Sequence, residues 1–457
     1  MSPCRNLRKM SRGGYRADNR PHSASKFYLP HSHSASPGFH NLHMLQLLDV
    51  TARARIPRRS PRNHATVLLC LLSIIFFPRF LAAAEWSVEP AVTLGLGVDD
   101  NPALTTDPHD TVSYIFFSPR INWSKKTEVS AVNLEMLLNA TKYSGNQVED
   151  TDSQTLSLSS FFQTTERTRW GLDGSLRRDT LFQTIQTTPG TGNLRDTDIA
   201  LVEQKVRREW LAARPSWTYA LSERSSLGLS YGITDVSFSN TLGTDLVDYK
   251  DHLLSAIYSR RITGQDDLNL VVNRSAYRPA ETGTKSDTTQ LLVGVSHAYS
   301  ETSRGRFLVG SGKTKETTTT GTEDTSSVVL EAGMVQRSEL TTFDGVISRD
   351  VQSSGIGRSV MSNQLRMYLA RKISPMLSFV LRANVLRNKV LEGSDPNTDR
   401  RYYELIPALS WQWRPEWAFG AEYLYRSQKF DANPETAKSN SFFISATYTW
   451  PRQVASR

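Results

Sequence analysis

From Glu85 onward the apolar residues of this chain recur at every second position. Val132, Leu134, Met136, Leu138 and Ala140 form one such series, Leu227, Leu229, Tyr231 and Ile233 a second, and Val328, Leu330, Ala332 and Met334 a third. Leu377, Phe379, Leu381, Ala383 and Val385 continue it, followed by Tyr403, Leu405, Pro407, Leu409, Trp411 and Trp413. A period of two places one residue set on one face of an extended chain, so each series predicts a β-strand with one apolar face. No convincing helical window interrupts them after Glu85. No linker divides residues 85–457, which read as one all-β domain.

The connections alternate in length. Tight polar turns are predicted at Lys125-Lys126-Thr127, Thr165-Glu166, Ser222 to Ser225, Thr263 to Asp266, Glu301-Thr302, Ser338-Glu339, Ser374-Pro375 and Arg414-Pro415-Glu416. Between them lie stretches rich in Gly, Thr, Asp and Asn: Thr184 to Thr197, Pro279 to Ser286, Thr317 to Asp324, Glu392 to Asp399 and Asp431 to Lys438. Short turns at one end and long loops at the other are the pattern of a transmembrane antiparallel up-and-down β-barrel. A strand on each side of every short turn, plus one at each end, predicts about 18 strands with both termini in the periplasm.

The mean hydropathy of −0.41 is too polar for a helical membrane protein. It suits a barrel, where only alternate strand residues meet lipid. A soluble propeller or sandwich also alternates. Against that stand the aromatics beside the short turns, Trp123, Trp217, Trp411, Trp413, Trp417 and Trp450, which predict an interfacial girdle, and opposite faces too polar to pack a second sheet. The final stretch, Ser441 to Trp450, puts Phe442, Ile444, Ala446, Tyr448 and Trp450 on one face. An aromatic-ended last strand is what such barrels present to their assembly machinery, so Phe442, Ile444, Tyr448 and Trp450 are the candidate membrane-insertion residues and lipid and that machinery the expected partners. Seven further residues follow Trp450, where barrels of this kind usually stop.

The segment 1–84 reads differently. Ala65 to Phe77 is an apolar run of 13 residues, preceded by Arg53, Arg55, Arg58, Arg59 and Arg62 and followed by Leu81 and three alanines. A basic head, a short apolar middle and small residues at the end predict a secretory signal cleaved after Ala84. Pro78 and Arg79 close the run well short of the roughly 20 residues a membrane helix needs. This segment carries 13 of the 54 Lys and Arg side chains and 2 of the 45 Asp and Glu, which leaves residues 85–457 a formal charge of −2. The basic pI then gives no support to nucleic-acid binding. Cys4 and Cys70 also lie in the leader, so 85–457 has no thiol for a disulfide or a metal. No cofactor is expected.

If the apolar parity meets lipid, the other parity lines the lumen. That places Glu331, Arg366, Arg382, Asn384, Glu404, Gln412, Glu422 and Arg426 inside, with both charge signs represented. These residues suit either the wall of a water-filled channel or an ion-pair network that satisfies buried charges.

Two stretches imitate catalytic motifs. Gly228-Leu229-Ser230-Tyr231-Gly232 has the G-x-S-x-G spacing, but that chemistry needs a strand-to-helix turn and this segment keeps strand alternation. Gly310-Ser311-Gly312-Lys313-Thr314 resembles the end of a phosphate-binding loop, but Phe307 stands where the first glycine belongs, and the following Lys-Glu-Thr-Thr run reads as a polar loop. His109, His252 and His297 are the only histidines after the leader and have no metal-ligand spacing. A hydrolase with His252 as base beside Asp248 and Asp251 is a remote alternative; the chain does not read as an enzyme.

Gly97-Val-Asp-Asp-Asn-Pro102, Pro215-Ser216-Trp217, Val247-Asp248-Tyr249 and the final Tyr448-Thr-Trp450 together resemble the β-barrel porin 2 family, which includes outer-membrane barrels found beside exopolysaccharide and exosortase gene clusters. The resemblance spans most of 85–457. It implies a Gram-negative outer-membrane location, a role in passage of polysaccharide and polysaccharide-export components as partners, and it supplies no catalytic residues. The expectation is a porin-like conduit for polar solutes or exopolysaccharide; the alternative is a closed structural or surface-attachment barrel whose loops carry the function.

Overall fold

The structure, a computed structural model, describes residues 84–107, 109–145, 148–181, 198, 205–280, 282–391 and 399–456. The predicted leader up to residue 83 and the loop segments 184–197 and 392–398 lie outside the described residues.

The alternating segments form β1 (Glu85–Asp99), β2 (Val112–Lys126), β3 (Ser130–Tyr143), β4 (Thr151–Thr165), β5 (Thr168–Thr180) and β6 (Arg207–Ser222). β7 (Ser225–Ser239), β8 (Tyr249–Arg261), β9 (Asp266–Pro279), β10 (Lys285–Ser300), β11 (Ser303–Thr317) and β12 (Thr322–Arg337) follow. β13 (Thr341–Ser353), β14 (Ser359–Lys372), β15 (Leu377–Val390), β16 (Arg400–Gln412), β17 (Trp417–Phe430) and β18 (Ala437–Thr449) complete the ring, and a short β19 (Gln453–Ser456) follows. From β1 to β18 each strand pairs antiparallel with its sequence neighbour, and β18 returns to β1 in register from Ala91↔Thr449 to Asp99↔Ser441. The ring therefore closes with 18 strands.

Even-numbered strands lead into connections of two to four residues, whereas odd-numbered strands lead into connections of four to 26. The Thr317 to Asp324 stretch is not the long loop expected from its composition. β11 and β12 run on to Thr317 and Thr322, paired to each other, and leave a four-residue turn. Threonine is at home in a strand, and these strands of 15 and 16 residues project beyond the 9–11 that a bilayer requires. The chain beyond Trp450 is a second departure: it extends the sheet as β19, pairing Gln453 to Ser456 with Val88 to Glu85.

The outer face is apolar. Leu94, Leu96, Phe117, Leu291, Val293, Val328, Ile347 and Ile444 are each about half exposed there, an arrangement that water would penalise and lipid favours. Aromatics ring the short-turn end of this band: Trp86 lies 5.3 Å from Trp123, Trp170 6.2 Å from Trp217, Trp417 5.0 Å from Tyr448 and Tyr448 4.8 Å from Trp450.

The inner face is less uniformly polar than the alternation suggests. Val271, Leu292, Leu308 and Val329 are buried together on β9–β12. Gly294 and Gly310 sit opposite Leu308 and Leu292 in the β10–β11 ladder, where a Cβ would collide with the cross-strand carbonyls of Phe307 and Leu291. The doublets Val271-Val272, Leu291-Leu292 and Val328-Val329 are the signal for apolar character on both faces.

Two outcomes follow. Ile444→Arg, in the middle of the closing strand, should destabilise the barrel by about 2–4 kcal/mol in equilibrium folding into lipid vesicles. Tyr448→Ala with Trp450→Ala should lower the folded fraction recovered from membranes, read by heat-modifiable gel mobility.

Candidate functional site: the barrel lumen

Arg366, Asn384, Glu404 and Arg426 occupy directly paired positions across β14, β15, β16 and β17, a single inward row. Nearby, Arg382 Nη2 lies 2.6 Å from Glu422 Oε2. Asn384 Oδ1 accepts from Gln364 Nε2 at 3.2 Å, and Tyr402 Oη donates to Glu404 Oε2 at 2.8 Å. Glu331 stands on another part of the wall, paired with Arg306. Gln412 has the inward parity but sits at the short-turn rim, where its amide donates to the carbonyls of Arg414 and Pro415 at 2.6 and 3.2 Å.

Arg426 joins this row to the first long loop. Its Nη2 lies 3.2 Å from Asp99 Oδ2 and donates to the carbonyls of Asn101 and Pro102 at 3.3 and 3.2 Å and to Ser439 Oγ at 2.9 Å. Ser439 Oγ donates in turn to Asp99 Oδ1 at 3.0 Å. Asp99 and Asn101 belong to the Gly97–Pro102 motif, so that motif anchors a loop. Beyond it, Leu104 takes a left-handed backbone (φ 56°), unusual for a leucine, and buries its side chain with Leu386, Tyr402 and Ala437.

A second network escaped the sequence reading. Arg208 donates from Nε and Nη2 to both carboxylate oxygens of Asp179 at 3.0 and 2.8 Å, and Arg177 Nε lies 3.1 Å from the same group. Both guanidinium groups lie over the Trp210 ring, at 5.0 and 5.5 Å from its centroid. All three charged residues are almost fully buried. The available signal was the alternation of Arg177 with Asp179 opposite Arg208 with Trp210, a polar and aromatic set on the inward parity.

The third group is a loop clasp. Asp198 is fully buried, and its carboxylate accepts from Tyr249 Oη, Ser354 Oγ and the Gly355 amide, each at 2.9 Å. Tyr277 Oη donates to the Ser354 carbonyl at 2.5 Å, and the Val247 amide donates to Gly355 O at 2.7 Å. Ile356 packs onto a cluster of Leu181, Val206, Trp210, Val236, Phe238, Leu246, Tyr249 and Tyr277. Residues 354–358, which join β13 to β14, thus fold inward against the β6–β9 wall.

These anchors lie in the long-loop half of the barrel. Between the first two of them, inward residues of β1–β5, β17 and β18 line a cavity of about 150 Å³, with Tyr114, Tyr143, Asn139, Arg177, Glu422 and Arg426 among its walls. Toward the short turns the wall carries partly exposed pairs such as Arg214–Asp173 at 3.5 Å.

The groups of the hydrolase alternative do not converge. His252 lies on the outward parity, its Nδ1 2.8 Å from Tyr231 Oη, while Asp251 faces inward and accepts from Ser275 Oγ at 2.8 Å. Asp248 accepts from the Phe238 amide at 2.9 Å. The G-x-S-x-G stretch lies within β7. Gly310 to Thr317 lies within β11, so the Lys-Glu-Thr part of the expected polar loop is strand.

A closed ring with a lipid-compatible exterior, an aromatic girdle, short turns at one end and a polar, partly filled interior defines a porin-like β-barrel of the bacterial outer membrane. The long loops are accordingly extracellular. No family model matches the chain, and no curated protein matches it in sequence. Among solved structures, it is similar to the outer membrane protein opdK from Pseudomonas aeruginosa (10% identity, TM-score 0.40, covering 79% of this chain and 99% of that one). OprD from the same organism (10%, 0.39, 80% and 94%) and OccAB2 from Acinetobacter baumannii (9%, 0.41, 80% and 98%) are similar too.

Arg426→Ala would leave Asp99 buried without its guanidinium partner, at a cost of about 3–5 kcal/mol. Arg452→Ala removes an exposed 3.2 Å pair with Glu85 and should cost about 1 kcal/mol or less. Urea unfolding of each variant in lipid vesicles reads the difference.

Proposed function

We propose that residues 85–457 form a conduit for polar solutes across the outer membrane, exported by the leader 1–84 and narrowed at the extracellular end by its own loops. The observation that carries this reading is the unequal filling of the lumen: a wall of partly exposed charge pairs toward the periplasm, and above it a cavity left between the Arg426–Asp99 anchor and the Arg177–Asp179 pair. Glu331, Arg366, Arg382, Asn384, Glu404 and Glu422 would present polar groups of both charge signs to a passing solute, Arg426 would hold the first loop beside them, and Gln412 would hold the periplasmic rim. Hydroxyl-rich chains such as an exopolysaccharide suit the tyrosine, asparagine and serine side chains of that cavity, and the resemblance of the Gly97–Pro102 and Val247–Tyr249 segments to polysaccharide-associated barrels agrees with that cargo.

The clasp itself favours a second reading, a closed barrel whose loops act at the surface, because Asp198, Ser354 and Tyr277 are satisfied within the protein. Planar-bilayer recording of the refolded protein separates the two. The conduit reading expects discrete current steps, raised at least twofold by Asp198→Ala, which removes three acceptor contacts from the clasp. No steps from either protein would assign it to the closed class.

A further inference from the structure

Around the extracellular edge of the outer face, several strand-end cations are matched by carboxylates. Arg178 lies 3.6 Å from Glu209, Lys250 3.1 Å from Asp235, Arg278 2.7 Å from Asp287 and Lys313 2.8 Å from Asp324, and Arg207 pairs with Asp152. The sector from β15 to β18 instead sets cation beside cation. Arg387 is the direct cross-strand partner of Arg401, and Arg401 of Lys429. Three cations thus stand side by side on three adjacent strands. Cross-strand neighbours have Cβ atoms about 4.5–5.5 Å apart, and like charges so placed repel. Lys389 lies two residues above Arg387, and Lys438 pairs with Ser427, two residues from Lys429.

Among the described residues, Arg401 alone of these five cations has a carboxylate within 4 Å. Asp431 reaches Arg401 only at 3.9 Å, and Asp100 accepts from the amide and side chain of Asn440 at 2.6 and 2.7 Å. Arg387, Lys389, Arg401 and Lys438 are exposed, and they share the outward parity with the lipid-facing Leu381, Leu405, Leu409, Phe442 and Ile444. Tyr403, half exposed, lies two residues below Arg401 on that face, at the height where acyl chains give way to headgroups.

We propose that the row Arg387, Arg401 and Lys429 binds the phosphate groups of a phosphorylated glycolipid of the outer leaflet, with its acyl chains against the apolar surface below Tyr403. The charge complementarity is specific: a multiply charged phosphate headgroup relieves repulsion along the row, guanidinium groups bind phosphate in bidentate fashion, and the lipid is held where the barrel meets its own bilayer. The inference rests on the long loops facing the outer leaflet and is independent of whether the lumen conducts.

The test uses the full barrel, refolded free of lipid in a non-ionic detergent and titrated with bisphosphorylated lipid A by native mass spectrometry. Removing three cations near an anionic lipid surface, at about fivefold each, should weaken binding of the Arg387→Ser, Arg401→Ser, Lys429→Ser variant at least tenfold. The Lys250→Ser, Arg278→Ser, Lys313→Ser variant, which removes matched cations, should bind within threefold of wild type. Dephosphorylated lipid A should bind the wild-type protein at least tenfold more weakly, which tests the proposal even if the first variant does not fold. A smaller loss in either comparison, or equal binding of phosphatidylethanolamine by the wild type, overturns it.

Discussion

Closure of β18 onto β1 is the interaction on which the remaining structure depends. A strand edge in hydrocarbon leaves amide and carbonyl groups without partners, at several kcal/mol each, so a sheet that spans a bilayer must have no edge. The nine paired positions from Ala91↔Thr449 to Asp99↔Ser441 remove it. The same register carries Asp99 to the head of the ring beside Ser439 and Arg426, so the seam and the first inward loop share residues. β19 then protects the exposed start of β1 beyond the end of β18.

Once the ring is closed, parity sorts the chemistry. Every side chain on one parity faces lipid, and every side chain on the other must find partners inside. An 18-stranded ring is too wide for wall side chains alone to fill. Here the extracellular half is packed by loops returning to the wall, held by Asp198 on one side and by Arg426 with Leu104 on the other. The backbone of Leu104 is held in an unfavourable region, and its apolar burial and the Asn101 carbonyl, which accepts from its amide at 3.1 Å, offset that cost. Buried charges in this half are arranged as multi-donor sets around single carboxylates, which is the condition under which buried ion pairs are tolerable.

On the outer surface several cations above the lipid band are matched by carboxylates on neighbouring strands, whereas the β15–β17 row sets cation beside cation. Such a row, at the height of the headgroups, is where the proposed phosphate binding would relieve like-charge repulsion.

The alternation of Val132 to Ala140 or Leu377 to Val385, together with turns such as Thr165-Glu166, determined strand identity, strand number, the lipid face and the closing strand, because side-chain period and turn length are local properties of a β-chain. Parity alone also put Glu331, Arg366, Arg382, Asn384, Glu404, Gln412, Glu422 and Arg426 on one face. What parity does not carry is distance across the ring. That Arg366, Asn384, Glu404 and Arg426 stand in one row while Gln412 closes a turn depends on register. The Arg177–Asp179–Arg208 set depends on how β5 meets β6 across a long connection, and the Asp198 clasp on contacts between residues 156 positions apart. Those belong to the tertiary structure because a hydrogen bond between two loops is decided by where the closed ring brings them, and no stretch of sequence holds both partners.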